Sequence, residues 1–127
     1  MGHPLFSAAL RRPALGRRLL AGMTGPGAAP AVREANRRLF AGLARDVRAA
    51  AFRSSQHLDL ETAPVQVPAL VLCGDRDSII GPDANRSLAE ALPLGRLRIL
   101  PGAGHQLPLE RPDEVAQAIE DLVAAAV

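Results

Sequence analysis

An acidic and a basic side chain follow two apolar stretches of the sequence at matching points. Asp77 comes shortly after the apolar run 69–73, and His105 comes shortly after a second run, 97–100. A carboxylate on one ring nitrogen of a histidine fixes the tautomer, and it stabilises the imidazolium that forms when the other nitrogen removes a proton. Taken singly, the Asp has an ordinary alternative as a turn or helix cap, and the His as an exposed loop residue. Together they predict half of a catalytic triad, an acid and a base.

The patterns around these two residues predict a parallel sheet. The run 69–73 is uninterrupted and ends at a glycine, which is typical of a strand buried on both faces. A helix is predicted from Pro82 to Pro93. A second strand covers 97–100, and a final helix begins near Pro112. This order is a βαβα unit whose two strands lie parallel with a right-handed crossover.

Parallel strands bring the two candidate residues to the same edge of the sheet. Ligands bind beyond the carboxyl ends of strands in open α/β sheets, and neighbouring strands lie about 4.8 Å apart. Asp77 and His105 should therefore come within hydrogen-bond distance despite their separation in sequence. Gly102 and Gly104 indicate a backbone that needs unusual dihedral angles or a close approach, although an ordinary tight turn would also use glycines. Two strands alone make a poor sheet, so the unit looks cut from something larger.

The N-terminal half predicts helices instead of further strands. Residues 4–21 predict one short helix, or two pieces separated at Pro13, and residues 22–30 predict a loop. Apolar positions then recur at helical spacing from Val32 to Ala51, which predicts a helix with arginines on its other faces. Those arginines are Arg33, Arg37, Arg38, Arg45 and Arg48.

Charge divides the chain into a helical region, 1–58, and an α/β region, 59–127. The first carries ten Arg and two acidic residues and the second five Arg and eleven acidic residues, although the net charge is only +2. Aromatic residues are only 2% of the chain, so no nucleic-acid partner is expected, and solvated helix faces account for the arginines better. Salt-sensitive binding of an anionic surface by the arginine-rich N-terminal helix stays open as one hypothesis for the function.

The cysteine content and the hydropathy of the sequence indicate in which cellular compartment the protein is expected. Cys73 is the single cysteine, so an internal disulfide is excluded, and a reducing compartment, the cytoplasm, is the default expectation. No apolar run approaches the roughly 20 residues that cross a bilayer, so no membrane partner is expected.

Three stretches in order resemble the C-terminal end of the α/β-hydrolase fold superfamily. They are Val67 to Asp77 (VPALVLCGDRD), Leu97 to His105 (LRILPGAGH) and Leu109 to Pro112 (LERP). The implied fold class is α/β: the C-terminal βαβα part of an α/β-hydrolase parallel sheet, preceded by helical cap segments. The resemblance implies Asp77 as the acid, His105 as the general base, and a closing helix opened by Glu110, Arg111 and Pro112. Residues 1–58 are similar, more loosely, to the helical cap of that superfamily.

The nucleophile that this resemblance requires is not in the sequence. In that superfamily a Ser stands on a Gly-x-Ser-x-Gly turn well before the acid. The serines that precede Asp77 are Ser7, Ser54 and Ser55, and none has flanking glycines. The chain alone is therefore expected to be almost inactive, because nucleophile and base act as a unit.

Besides binding of an anionic surface, two functions from different classes remain open. The first is a hydrolase of a small-molecule ester, lactone, amide or C–C bond, with a Ser-His-Asp mechanism whose Ser is missing from this chain, and with no metal or cofactor implied. The alternative is a non-catalytic fragment that acts as a binding or oligomerisation module, its open sheet edge covered by a partner or by a second copy in a homo-oligomer.

Overall fold

The structure is a computed structural model that describes residues 3–55, 61–62 and 64–126. The chain divides into two compact units: Met1–Ala21 with Pro30–Leu60, and Gly22–Ala29 with Glu61–Val127. We refer to them as the helical unit and the α/β unit. The boundary predicted at residues 58 and 59 lies outside the described residues.

The helical unit is built from four helices. These are α1 (Pro4–Arg11), α2 (Pro13–Leu19), α3 (Pro30–Gly42) and α4 (Arg45–Ser55), and a 3-10 turn at Ala21–Met23 follows α2. The three helices that begin at proline use a residue whose fixed φ suits the first helical position and whose missing N–H would have no partner there. Pro13 separates α1 from α2, which is one of the two predicted arrangements. The helix predicted from Val32 to Ala51 is instead two helices, because the chain leaves helical geometry between Gly42 and Arg45.

Two arginines inside the helical unit hold the C-terminal ends of helices. The guanidinium of Arg37 donates to the carbonyl oxygen of Leu10 at 2.7 Å, in the last turn of α1. Arg48 donates to the carbonyl oxygen of Phe40 at 2.9 Å and to that of Leu43, where α3 ends. The last carbonyls of a helix have no partner within it, so these side chains satisfy groups that would otherwise be left unpaired.

In α3 and α4, some side chains that were expected to be exposed are buried, and some that were expected to be buried are exposed. Arg37 and Arg48 are buried, although the sequence pattern places them on the faces away from the apolar stripe. Leu39, Leu43 and Val47, which belong to that stripe, are about half exposed. The prediction was wrong for these two arginines because it weighed hydrophobicity alone and ignored the unpaired carbonyls at helix ends.

The α/β unit contains two parallel strands and three helices. Its elements are β1 (Ala69–Gly74), α5 (Pro82–Ala91), β2 (Gly95–Leu100), α6 (Leu107–Glu110) and α7 (Pro112–Ala126). β1 and β2 pair in parallel from Ala69 beside Gly95 to Gly74 beside Leu100. The predicted strand–helix–strand–helix order and the parallel pairing are confirmed, and the short α6 is an addition.

The core of the α/β unit lies between the sheet and α7. Leu100, Ala103 and Leu107 are buried together, and Leu72 and Val115 pack against them. The expected burial of β1 on both faces is wrong for its first four residues, which are half-buried, whereas Cys73 and Gly74 are buried. In the part of the chain that the structure describes the sheet has two strands, so the neighbours that would help to cover β1 are few. Within the same residues no helix is both long and apolar enough to cross a membrane.

The core predicts a large difference between two truncations to alanine. Leu100 is 2% exposed, whereas Val123 on α7 is 59% exposed. Leu100→Ala should lower the free energy of unfolding by about 2–5 kcal/mol, because it removes buried methyl groups and leaves a cavity. Val123→Ala should change it by less than about 0.5 kcal/mol. Urea titration followed by circular dichroism measures both, and equal effects would contradict the described core.

A second prediction concerns the acid stability of the helical unit. Glu34 accepts hydrogen bonds from Arg17, Arg37 and Arg38, and the bond from Arg37 is the largest of the effects that lower its pKa from 4.5 to about 2. A lowered folded-state pKa means that the unfolded chain binds this proton first, so the stabilisation is complete above pH 4.5 and is lost as the pH falls towards about 2.

The measurement is the thermal unfolding midpoint across that pH range. The midpoint of Glu34→Gln should fall less steeply on acidification than that of the unsubstituted protein, because the variant has no carboxylate to protonate there. Glu90→Gln, which removes an exposed carboxylate from α5, should keep the steep fall. Parallel pH profiles for the Glu34→Gln variant and the unsubstituted protein would contradict the assignment.

Candidate active site

Two loops follow the carboxyl ends of β1 and β2, and they are hydrogen-bonded to each other. We call residues 75–81 the acid loop and residues 101–106 the base loop. The N–H of Asp75 donates to the carbonyl oxygen of Leu100 at 3.2 Å, and the N–H of Arg76 donates to that of Ala103 at 2.9 Å. Because Gly74 and Leu100 pair in the sheet, these bonds extend the strand pairing into the loops and bring their side chains together.

The two predicted site residues meet at this edge. His105 Nδ1 and Asp77 Oδ2 lie 2.9 Å apart, across 28 residues of sequence. The Asp77 side chain is 6% exposed and the His105 side chain is 29% exposed, so the carboxylate is enclosed while the ring has an open side. An ionised carboxylate can only accept a hydrogen bond, so Nδ1 carries a proton, and in the neutral form of the ring Nε2 then has the lone pair. This arrangement can remove a proton from a group that approaches Nε2.

Hydrogen bonds keep Asp77 ionised. Burial raises the pKa of its carboxyl group, but the N–H of Ile80, the ring of His105 and the N–H of Ile79 outweigh burial and lower the pKa below its ordinary value. Oδ1 accepts from Ile79 at 2.8 Å and from Ile80 at 3.0 Å. The acid loop therefore fixes one carboxylate oxygen and leaves the other for the histidine.

Asp75 ties the two loops together, a role that sequence reasoning did not assign to it. Its Oδ1 accepts the N–H of Gly102 at 2.6 Å. Gly102 has φ of +72°, a conformation that residues with a side chain rarely adopt, which accounts for glycine at this point of the base loop. A methyl group on Gly74 would lie 2.1 Å from the carbonyl oxygen of Ala103, so the end of β1 also touches the base loop directly.

A third stretch of backbone borders the histidine. We call Gly22–Ala29 the 22–29 segment. The carbonyl oxygen of Met23 accepts the backbone N–H of His105 at 3.1 Å, and the carbonyl oxygen of Gly22 accepts the hydroxyl of Ser78 at 2.6 Å. The sequence predicts a loop here from its Gly and Pro content, but it carries no signal that the loop lies against Ser78 and His105, which are far later in the chain.

Cys73 is a poor candidate for a nucleophile. It is 2% exposed at the end of β1, and burial, followed by the negative charges of Asp77 and Asp75, raises the pKa of its thiol. A neutral thiol has little nucleophilic character. Across residues 3–55, 61–62 and 64–126, no group of three or more His, Cys, Asp or Glu could hold a metal ion.

Fold and site together define an α/β protein with an aspartate–histidine pair at the carboxyl edge of a parallel sheet. A sequence model of the alpha/beta hydrolase family matches residues 1–118. The chain belongs to this family.

Solved structures show the same fold. A thermophilic esterase from Thermogutta terrifontis matches with a TM-score of 0.75 and 24% identity, over 96% of this chain and 48% of that one. An esterase from Exiguobacterium antarcticum matches with a TM-score of 0.71 and 16% identity, over 96% and 46%. A bacterial membrane phospholipase A matches with a TM-score of 0.71 and 23% identity, over 94% and 40%.

The chain thus spans half or less of the length of these structures. No curated protein matches the chain significantly.

The hydrogen bond between the two residues predicts a tautomer switch. In Asp77→Asn the side-chain oxygen can still accept from Ile79 and Ile80, and its NH₂ group then faces His105 Nδ1. Since an NH₂ group can only donate, Nδ1 must become the acceptor and the proton must move to Nε2. The nitrogen chemical shifts of the ring at neutral pH report which nitrogen carries the proton.

Asp75→Asn is the matched control for this switch. It changes the neighbouring carboxylate but leaves the partner of the ring in place, so the proton should stay on Nδ1. The same tautomer in Asp77→Asn and the unsubstituted protein would contradict the described bond.

Proposed function

We propose that this protein is the C-terminal part of a serine hydrolase, with His105 as the general base and Asp77 as the acid that orients it. The observation that carries the proposal is the 2.9 Å contact between His105 Nδ1 and Asp77, which engages Nδ1 and not Nε2 of a partly exposed ring. The nucleophile is a Ser outside residues 1–127. In this reading the helical unit serves as cap, and the single cysteine favours the cytoplasm.

The reaction is acyl transfer through a covalent intermediate. His105 Nε2 takes the hydroxyl proton of the Ser as its oxygen attacks the carbonyl carbon of the substrate, and then gives that proton to the leaving oxygen or nitrogen. Water next loses a proton to Nε2 and attacks the acyl group, which releases the acid and returns the proton to the Ser. Asp77 stays ionised throughout and stabilises the imidazolium of each step.

An ester is the first substrate class to test. Two of the similar structures described above are named esterases and one a phospholipase, and all three names refer to ester cleavage. A lactone, an amide or a C–C bond is the second choice, because the fold alone does not decide which bond is cleaved.

The decisive experiment begins with the genomic DNA upstream of the Met1 codon. We expect a coding segment with a Gly-x-Ser-x-Gly turn. The continuous chain, expressed from both segments together, should hydrolyse p-nitrophenyl butyrate. His105→Ala should reduce kcat by on the order of 10⁴–10⁶ and Asp77→Asn by about 10⁴. Asp83→Asn, an exposed acidic residue at the start of α5, should keep kcat unchanged.

Residues 1–127 expressed alone should hydrolyse the ester no faster than their own His105→Ala variant. Unchanged hydrolysis in the His105→Ala form of the longer chain would overturn the proposal. An upstream region without a coding segment for the nucleophile would overturn it too, and a concentration-dependent oligomer without hydrolysis would then favour the binding or oligomerisation module.

A further inference from the structure

Glu110 gathers three backbone N–H groups on one carboxylate. Its Oε2 accepts the N–H of Gly25 at 2.7 Å and the N–H of Gly104 at 3.0 Å. Its Oε1 accepts the N–H of Gln106 at 3.2 Å. Gly104 and Gln106 are the neighbours of His105 in the chain, so one side chain holds the backbone on both sides of the histidine.

The N–H of His105 itself completes this arrangement. It donates to the carbonyl oxygen of Met23 at 3.1 Å. Met23 and Gly25 are two residues apart in the 22–29 segment, and Gly25 is bound by Glu110. The histidine, its two neighbours, the 22–29 segment and Glu110 therefore form a closed ring of hydrogen bonds.

Glycines make the contact between the 22–29 segment and the base loop a contact of backbones. A methyl group added to Gly25 would lie 2.2 Å from the carbonyl oxygen of Gly102, and one added to Gly104 would lie 2.4 Å from the nitrogen of Gly25. Real side chains do not occupy such distances, so the two backbones touch with nothing between them. The 22–29 segment and the base loop are therefore in direct backbone contact.

A carboxylate suits this position better than any neutral side chain. Three donors converge on it, and its two oxygens offer about four acceptor sites and no donor. Hydrogen bonds to an ionised acceptor are roughly twice as strong as bonds between neutral groups. An amide at this position would turn an NH₂ donor towards one of the three N–H groups.

We propose that Glu110 is a positioning residue for His105, which fixes the backbone of the base loop so that Nδ1 stays on Asp77 and Nε2 stays presented. The inference deepens the proposed function, since it takes His105 as the base of that reaction. In this role Glu110 acts through the N–H groups of Gly25, Gly104 and Gln106.

The test uses residues 1–127 and follows the His105 Nδ1 proton by NMR. Exchange of this proton with water requires the ring to leave Asp77, so the exchange rate reports how firmly the base is held. Glu110→Ala should raise that rate by about tenfold to a hundredfold, because it removes three bonds to a charged acceptor. The exchange rate of Glu110→Gln should lie between those of the unsubstituted protein and Glu110→Ala, since its single side-chain oxygen can still accept from Gly25 and Gly104.

Glu114→Gln is the matched control. It also removes a carboxylate near the start of α7, where Glu114 pairs with Arg111 at 3.2 Å on the surface, and it should leave the exchange rate unchanged. Backbone amide spectra establish that each variant is folded. If Glu110→Ala does not fold, Glu110→Gln decides alone. A folded Glu110 variant with the exchange rate of the unsubstituted protein would overturn the proposal, and so would an equal rise in Glu114→Gln.

Failure of this inference can be told apart from failure of the proposed function. The NMR experiment needs no nucleophile and no substrate, whereas the hydrolysis experiment needs both. In the longer chain, Glu110→Gln should lower kcat by about tenfold and leave KM unchanged. A mispositioned base stabilises the transition state less but does not change substrate binding. A rise in KM at constant kcat would overturn the positioning role while leaving the hydrolase proposal intact.

Discussion

The parallel register of β1 and β2 is the constraint on which the rest of the α/β unit depends. Gly74 and Leu100 lie side by side, so the acid loop and the base loop start from the same edge at the same height. Their first backbone bonds then continue the strand pairing beyond the sheet. A shift of one residue would separate Asp77 from His105 and would also move Leu72 of β1 relative to Leu100, Ala103 and Leu107 in the core.

In both units, charged side chains form hydrogen bonds with backbone groups that are distant in sequence. Arg37 and Arg48 satisfy carbonyl oxygens at the C-terminal ends of helices, and Glu110 satisfies N–H groups of two loops. In each case a charged group meets backbone polar groups that no regular element pairs. The small aromatic content of the chain leaves less buried area than usual to hold the elements together, so these bonds carry a larger share of the organisation.

Much of the α/β unit could be predicted from sequence because its signals are local. The apolar run before Gly74, the prolines at helix starts and the loop positions of Asp77 and His105 are each visible within a few residues. The helical unit was harder, since Arg37 and Arg48 look like surface residues until their carbonyl partners are known. The roles of Asp75 and Glu110 were not predictable either. Their partners are backbone N–H groups, which every non-proline residue carries, so sequence offers no pattern to recognise.

The 22–29 segment leaves the ribosome long before its partners exist. Gly25 and Glu110 are 85 residues apart, and the chain must close that large loop before the contact stabilises anything. The side-chain bonds described for helices α1 to α4, such as that of Arg37 to Leu10, close shorter loops and can form earlier. The backbone around His105 therefore reaches its final position only after the end of α6 has been synthesised. The hydrogen bonds around His105 are thus among the last features to be set during folding, and a nascent chain that stops short of Glu110 lacks the carboxylate that accepts the N–H groups of Gly104 and Gln106.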